Sequence, residues 1–266
     1  MQPTNITETQ DFPVMISDAV WNSILPFLKA LPTIYVGTPE DCRRFLSAVA
    51  WITKEGATWR ALPKAYGYWN TIYRRFGRWS DAGVFEKLHE HFHAAGEVSA
   101  LLVDATVVRA HSCAAGAPKK NGGQETEALG RSRGGFTTKL HAAVSGDFLP
   151  LRFTLTAGQR HDITQAPALI AGTPACEYVI ADAAYDSDAF RAEIIAEGAE
   201  AVIRRRKSRV EDRPYDQEVY KLRNVIERFF HRLKQYRRVA TRYDKYAVRY
   251  LGFVYVAAIL ITAKKM

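Results

Sequence analysis

The sequence predicts an α/β protein in which a small all-helical domain precedes a mixed-sheet domain. Three observations lead there. Apolar and aromatic residues recur at helical spacing over residues 17–93. Beyond Gly96, β-branched apolar runs alternate with short helical ones in the order β, β-hairpin, α, β, α, β, α. A 266-residue chain that is 47% hydrophobic and 24% charged also holds enough apolar material for a real core.

Residues 1–13 are polar and acidic, which predicts a disordered tail and not a signal peptide. Ser17 or Asp18 is placed to cap a helix carrying Val20, Trp21, Ile24, Leu25 and Leu28. Thr38 followed by Pro39 opens a second, with Phe45, Val49 and Ile52 on one stripe. Residues 68–79 interleave aromatic side chains with Arg74, Arg75 and Arg78. Such a helix suits the backbone of a nucleic acid, and core aromatics beside solvated arginines give the same pattern. Asp81 is expected to start a last helix through Phe85, Leu88 and Phe92. His89, His91 and His93 resemble a metal tract, but only His89 and His93 share a helical face, so a solvated helix is expected.

Residues 100–111 are apolar on both faces, as a central strand is, with Asp104 as the carboxylate inside it. Residues 112–135 read as a long basic, glycine-rich loop; Arg131 and Arg133, beside Gly134 and Gly135, suit an approach to phosphate. Strands at 136–145 and 148–156 flank Gly146 and Asp147, a hairpin signal. Asp162 is placed to cap a short helix reaching Ile170. The strand Tyr178–Ala181 ends at Asp182, and Asp186 and Asp188 beyond it suit helix capping. A helix through Phe190, Ile194 and Ile195 and a strand at 201–203 follow. The basic loop 204–213 leads into an amphipathic helix at 217–238. The apolar run 250–261 is too short to span a bilayer and reads as a buried element.

Charge narrows the partners. Residues 1–95 hold 10 basic and 9 acidic side chains, 96–199 hold 9 and 12, and 200–266 hold 18 and 7, a net +11. That localised excess suits a polyanion, nucleic acid before an anionic membrane, for which no amphipathic anchor is found. Cys42, Cys113 and Cys176 are scattered, which argues against a disulfide scaffold and a zinc knuckle and points to a reducing, cytoplasmic setting.

Three carboxylates occupy special places: Asp104 in an apolar strand, Asp182 where a strand gives out, and Glu227 on the amphipathic helix. At about 100° per residue, Tyr220, Arg223, Glu227 and Lys234 share an arc of about 60° beside the apolar stripe. Converging from two strands and a helix, the carboxylates would form a hard, oxygen-rich pocket for Mg²⁺ or Mn²⁺. Two such ions, roughly 4 Å apart, suit in-line attack on phosphorus, with Arg223 and Lys234 facing phosphate oxygens. The same spacing also fits an ordinary ion pair between Arg223 and Glu227.

The run Tyr220, Arg223, Glu227, Lys234 matches in residue type and spacing the signature of DDE transposases of bacterial insertion-sequence groups four and five. The stretches VDATVVRAH (103–111), GRSRGGFTTKLH (130–141), LTAGQRHD (155–162), IADAAYD (180–186) and ATRYDK (240–245) resemble group five in particular. The resemblance, which covers roughly 14–262, implies a ribonuclease-H-like catalytic domain over 98–266 with Asp104, Asp182 and Glu227 as its metal-binding triad. It implies a helical domain over 14–95 that binds terminal inverted repeats or pairs the two ends. It further implies strand cleavage and transfer on double-stranded DNA with two Mg²⁺ or Mn²⁺ ions, a homodimer on DNA, and a place at the nucleoid. His161 falls in a family motif as a supporting residue. Two departures stand out: Ala183 and Ala184 replace a Lys-Gly pair, and Arg204, Arg205 and Arg206 stand where relatives carry prolines and add affinity for DNA backbone. The rival readings are a silent DNA-binding protein and a metal-dependent nuclease that does not join.

Overall fold

The computed structural model describes residues 12–32, 34–92, 98–116, 123–132 and 134–263. Arg133, His93 and residues 1–11 of the expected tail lie outside the described residues. Ser17 accepts a hydrogen bond from the Val20 N–H and starts α1 (Asp18–Ala30). Thr38 does the same for Asp41, and Pro39 at the first helical position opens α2 (Pro39–Glu55). α3 (Trp69–Asp81) and α4 (Val84–Phe92) complete the helical region. Asp81 is thus the last residue of α3 and does not start α4; Gly83 stands between the two helices with a φ of 67°, in the left-handed region that favours glycine.

The sheet has seven strands among the described residues: β1 (Ala100–Ala110), β2 (Gly130–Ser132), β3 (Gly135–Ser145), β4 (Pro150–Ala157), β5 (Tyr178–Ala181), β6 (Glu200–Ile203) and β7 (Thr241–Arg242). Its order is β2-β3-β1-β5-β6, with β4 beside β3 and β7 beside β1. The β1–β3 and β3–β4 pairs are antiparallel, whereas β1–β5 and β5–β6 are parallel, so the sheet is mixed as expected. The predicted loop at 112–135 contains α5 (Gly123–Thr126) and β2, a short turn and strand too brief to leave a periodic signal.

Alternation along the strands builds two cores. Leu101, Val103, Val179 and Ala181 face α6 (Ala166–Ile170) and α7 (Asp188–Ala196) through Leu169, Phe190 and Ile194. Leu102, Leu140, Ile180 and Val202 face α9 (Asn224–Leu233) through Ile226 and Phe229. This second core continues without a break into the helices of the first 92 residues. α11 (Ala247–Thr262) carries it there by packing against α2, α3 and α4, with Phe253 stacked on Phe76 at 4.4 Å. Among the described residues no helix is long and apolar enough to cross a membrane.

The predicted helix at 217–238 is not continuous. It breaks into α8 (Gln217–Tyr220), a 3-10 turn (Lys221–Arg223) and α9, and α10 (Arg237–Ala240) follows a bend. A 3-10 turn preserves the rough three-to-four spacing of apolar positions, so the break leaves the amphipathic pattern intact. His89 does not sit on a solvated face either: it is buried between the rings of Phe153 and Tyr255, at 5.5 and 5.2 Å.

Candidate active site

Parallel pairing of β1 and β5 sets Val103 opposite Ala181, and the next residue on each strand is a carboxylate, Asp104 and Asp182. Both follow a residue on the α7 side of the sheet, so alternation turns both toward α9. Asp182 also caps the 3-10 turn Ala183–Tyr185, accepting from the Ala184 N–H at 2.8 Å. Glu227 lies in the first turn of α9 and is half exposed.

Arg223 joins these elements. Its Nη2 donates to Asp104 Oδ2 at 2.9 Å and its Nη1 to Glu227 Oε1, so one guanidinium bridges strand and helix. The i,i+4 ion pair open in the sequence is therefore formed, and it forms across two of the three carboxylates. Burial pushes the Asp104 carboxyl up to about 6; Arg223 and the Ala105 N–H pull the other way, and the charge of Asp182 adds to the rise. Arg223 Nε is buried without a hydrogen-bond partner.

The donor set suits a hard divalent cation: carboxylate oxygens, with a guanidinium standing in for positive charge between Asp104 and Glu227. As arranged, no three Asp, Glu, His or Cys side chains among the described residues form a ready cage. The residues fit the ion in kind, and the Arg223 guanidinium lies between Asp104 and Glu227.

The other predicted residues divide sharply. Tyr220 ends α8 with its ring 5.0 Å from that of Tyr215, and burial raises its phenol. Lys234 Nζ reaches the Val107 carbonyl on β1 at 3.4 Å. Arg204, Arg205 and Arg206 line an open cavity of about 690 Å³ that adjoins Ala183. Arg205 donates to the Arg209 carbonyl, and Arg206 donates to the carbonyls of Ala183 and Ala184 at 3.1 and 2.9 Å. Arg131 is exposed beside the Phe136 ring, and Arg74 and Arg78 are exposed on α3. Arg75 is half-buried and turns inward: it donates to the Val36 carbonyl at 2.8 Å and lies over Phe45 and Trp79 at 4.3 and 4.9 Å, so its guanidinium is engaged within the helical region. His161 is exposed, and its carbonyl accepts from Thr164.

The neighbouring Asp162 has the stronger position. It does not cap its turn; its carboxylate takes the Lys139 ammonium at 2.7 Å and lies 4.0 Å from buried His141. Burial, aided by Lys139 and opposed by Asp162, lowers the His141 imidazole to about 4, and its Nε2 bonds the Thr156 hydroxyl at 2.8 Å. Tyr185 stands nearby, fully buried with an unpartnered hydroxyl, and burial with the charges of Asp104, Asp162 and Asp182 pushes its phenol far up. The sequence reading passed over Lys139, His141 and Tyr185. Two of them stand in the KLH of the 130–141 motif, and the signal was polar side chains inside strands.

A family model described as "Transposase DDE domain" matches residues 96–261, and one described as "Putative transposase of IS4/5 family" matches residues 16–89. A Brucella ovis protein with the name "Putative transposase for insertion sequence element IS6501" is 44% identical over 126 residues, which is 47% of this chain and 97% of that protein. The uncharacterized protein y4sN of Sinorhizobium fredii is 32% identical over 109 residues, 41% of this chain and 87% of its own. Among solved structures, the piggyBac transposase synaptic complex with hairpin DNA aligns at a TM-score of 0.49 and 9% identity, over 96% of this chain and 74% of that one.

Proposed function

The chain belongs to the DDE transposase family, and on that premise we propose that Asp104, Asp182 and Glu227 are the carboxylates of its active site. The observation that carries this reading is the β1–β5 register, which brings Asp104 and Asp182 side by side facing the helix that bears Glu227. DDE transposase domains are generally metal-dependent. The three side chains are the ones that would hold the metal, Mg²⁺ or Mn²⁺, as a pair of ions. Bound there, the ions supply Lewis-acid stabilisation of the attacked phosphate and lower the pKa of the attacking hydroxyl.

The chain's own groups do the rest. Arg223 and Lys234 bring cations against phosphate oxygens, Arg223 after leaving Asp104. Arg204 and Arg205 with Arg131 track the backbone near the site, while Arg74 and Arg78 on α3 hold the element's end. In the first step a water oxygen attacks phosphorus and the P–O3′ bond breaks, freeing a 3′-hydroxyl. In the second, that hydroxyl attacks a target phosphate, and the target's own 3′-oxygen leaves. Residues 14–95 serve end binding and 98–266 catalysis. Both ends are processed together, which calls for a homodimer on DNA at the nucleoid.

The test is a labelled duplex carrying the element's own end, incubated with Mg²⁺. Nicking at the boundary is expected from the parent and is expected to fall to background in Asp104→Asn, Asp182→Asn and Glu227→Gln. Nicking retained in any one variant removes that residue from the site. Binding without nicking in Mg²⁺ or Mn²⁺ identifies a silent DNA-binding protein, and nicked ends without joined products identify a nuclease.

A further inference from the structure

We propose that Arg206 is a positioning residue for Asp182, acting through the turn that carries it and so setting the metal affinity of the site. The inference rests on the reading of Asp182 as a catalytic carboxylate. β5 and β6 run parallel with Ala181 opposite Ile203, so both chains leave the sheet on the same side. The turn after Asp182 contains Ala183 and Ala184, whose side chains have no polar atoms with which to hold it. Arg206 holds it from the neighbouring strand: Nε donates to the Ala183 carbonyl at 3.1 Å and Nη2 to the Ala184 carbonyl at 2.9 Å. Its own main-chain N–H donates to Asp186 Oδ2 at 3.0 Å.

Asp186 is a fixed anchor for that bond. It is 2% exposed and receives Arg191 Nε at 3.1 Å and Arg209 Nε at 3.2 Å. Arg191 also donates to the Ile203 carbonyl at 2.9 Å, which fixes the end of β6. Burial opposes ionisation of Asp186, yet the Arg206 N–H and the two guanidinium groups hold its carboxyl below the usual range. The turn is therefore bracketed by the guanidinium of Arg206 on one side and by its main chain on the other. The two departures from the family pattern, Ala183–Ala184 and the arginine run, are joined by these bonds. A planar guanidinium reaches two successive carbonyls at once, whereas an ammonium offers a single point of charge. Removal of partners that orient metal-binding carboxylates typically costs 10- to 100-fold in metal affinity.

The experiment compares Arg206→Gln and Arg206→Lys with the parent by direct Mn²⁺ titration without DNA, and by affinity for the element-end duplex without metal. Arg206→Gln is expected to weaken Mn²⁺ binding by about tenfold or more, with a clearly smaller loss of duplex affinity and a native, cooperative melt. Arg206→Lys is expected to fall between Gln and parent. Parental Mn²⁺ affinity in Arg206→Gln overturns the proposal. So does a loss confined to duplex affinity, which would make Arg206 a phosphate contact. Asp182→Asn in parallel separates the two layers: if it keeps parental Mn²⁺ binding, the assignment of Asp182 fails. If it loses binding while Arg206→Gln does not, only the positioning role fails.

Discussion

Replacing Arg223 with Gln tests whether the guanidinium occupies the place of a metal. Its bond to Asp104 joins side chains that are 23% and 13% exposed, and a charge-assisted bond of that kind is worth about 1.5–3 kcal/mol. The Glu227 half is 48% exposed and spaced i,i+4, which adds only about 0.3–0.5 kcal/mol. Against both stands the buried, unpartnered Nε, a cost of about 1–3 kcal/mol that Gln removes. The net loss on substitution is about 0.5–1 kcal/mol, or a melting temperature lower by about 1–4 °C for a chain of this size. A cation that must be displaced before another binds raises the apparent dissociation constant by the same free energy, about two- to fivefold. Thermal melting and calorimetric titration with Mn²⁺ read both effects. Arg223→Gln is expected to melt lower without metal, to bind Mn²⁺ about two- to fivefold more tightly, and to regain melting temperature as Mn²⁺ saturates. Unchanged or weaker Mn²⁺ binding would refute the displacement argument, whatever happened to nicking.

Three further outcomes follow from the same geometry. His141 has its pKa lowered to about 4 against about 6.5 in an unfolded chain, so the unfolded state binds the proton first. Stability present above pH 6.5 is then lost as pH falls toward 4, by about 2–3 kcal/mol, and urea titrations at pH 7 and 4.5 should show that slope vanish in His141→Phe. On α3, Arg74→Ala and Arg78→Ala are expected to weaken duplex binding with little change in melting, whereas Arg75→Ala costs about 2 kcal/mol of stability by emptying its carbonyl and ring contacts; equal effects from all three would refute the split. Gly56→Ala places a Cβ 2.6 Å from Arg237 Cβ at a φ of 67°, a loss of about 1–3 kcal/mol by denaturant unfolding, and a change below about 0.5 kcal/mol would contradict the close approach.

The sheet was legible because its central strands are apolar on both faces, and a carboxylate in or at the end of such a strand stands out. Asp104 and Asp182 are found that way, and capping residues such as Ser17 and Thr38 mark their helices directly. Glu227 required the helical wheel, which survived although the helix is broken at Lys221–Arg223. α11 shows the opposite case. Apolar all round, it has no polar face to announce what covers it, so its place among α2, α3 and α4 follows only from the fold. Helical spacing separates the three arginines of α3: Arg75 lies three and four residues from Ile72 and Trp79, on the buried side, while Arg74 and Arg78 do not share that arc.

The arithmetic of charge misleads most in the C-terminal quarter. Its net +11 suggests a surface given over to a polyanion, yet many of those cations are spent inside the protein. Arg238 pairs with buried Asp244 at 3.0 Å, and Arg242, fully buried, donates to the Asp244, Lys245 and Ala128 carbonyls and to the Thr138 hydroxyl. Arg209 and Arg213 are taken by Asp186, Asp188 and Glu211. What these arginines supply is order: they fix β7 to the sheet and the loop after β6 to the turn that bears Asp182. A planar guanidinium with several donors can bond two or more acceptors at once, as Arg206 does with the Ala183 and Ala184 carbonyls and Arg223 with Asp104 and Glu227. The basic excess therefore acts in large part on the protein's own acids and carbonyls, and the arginines around Ala183 line an open cavity.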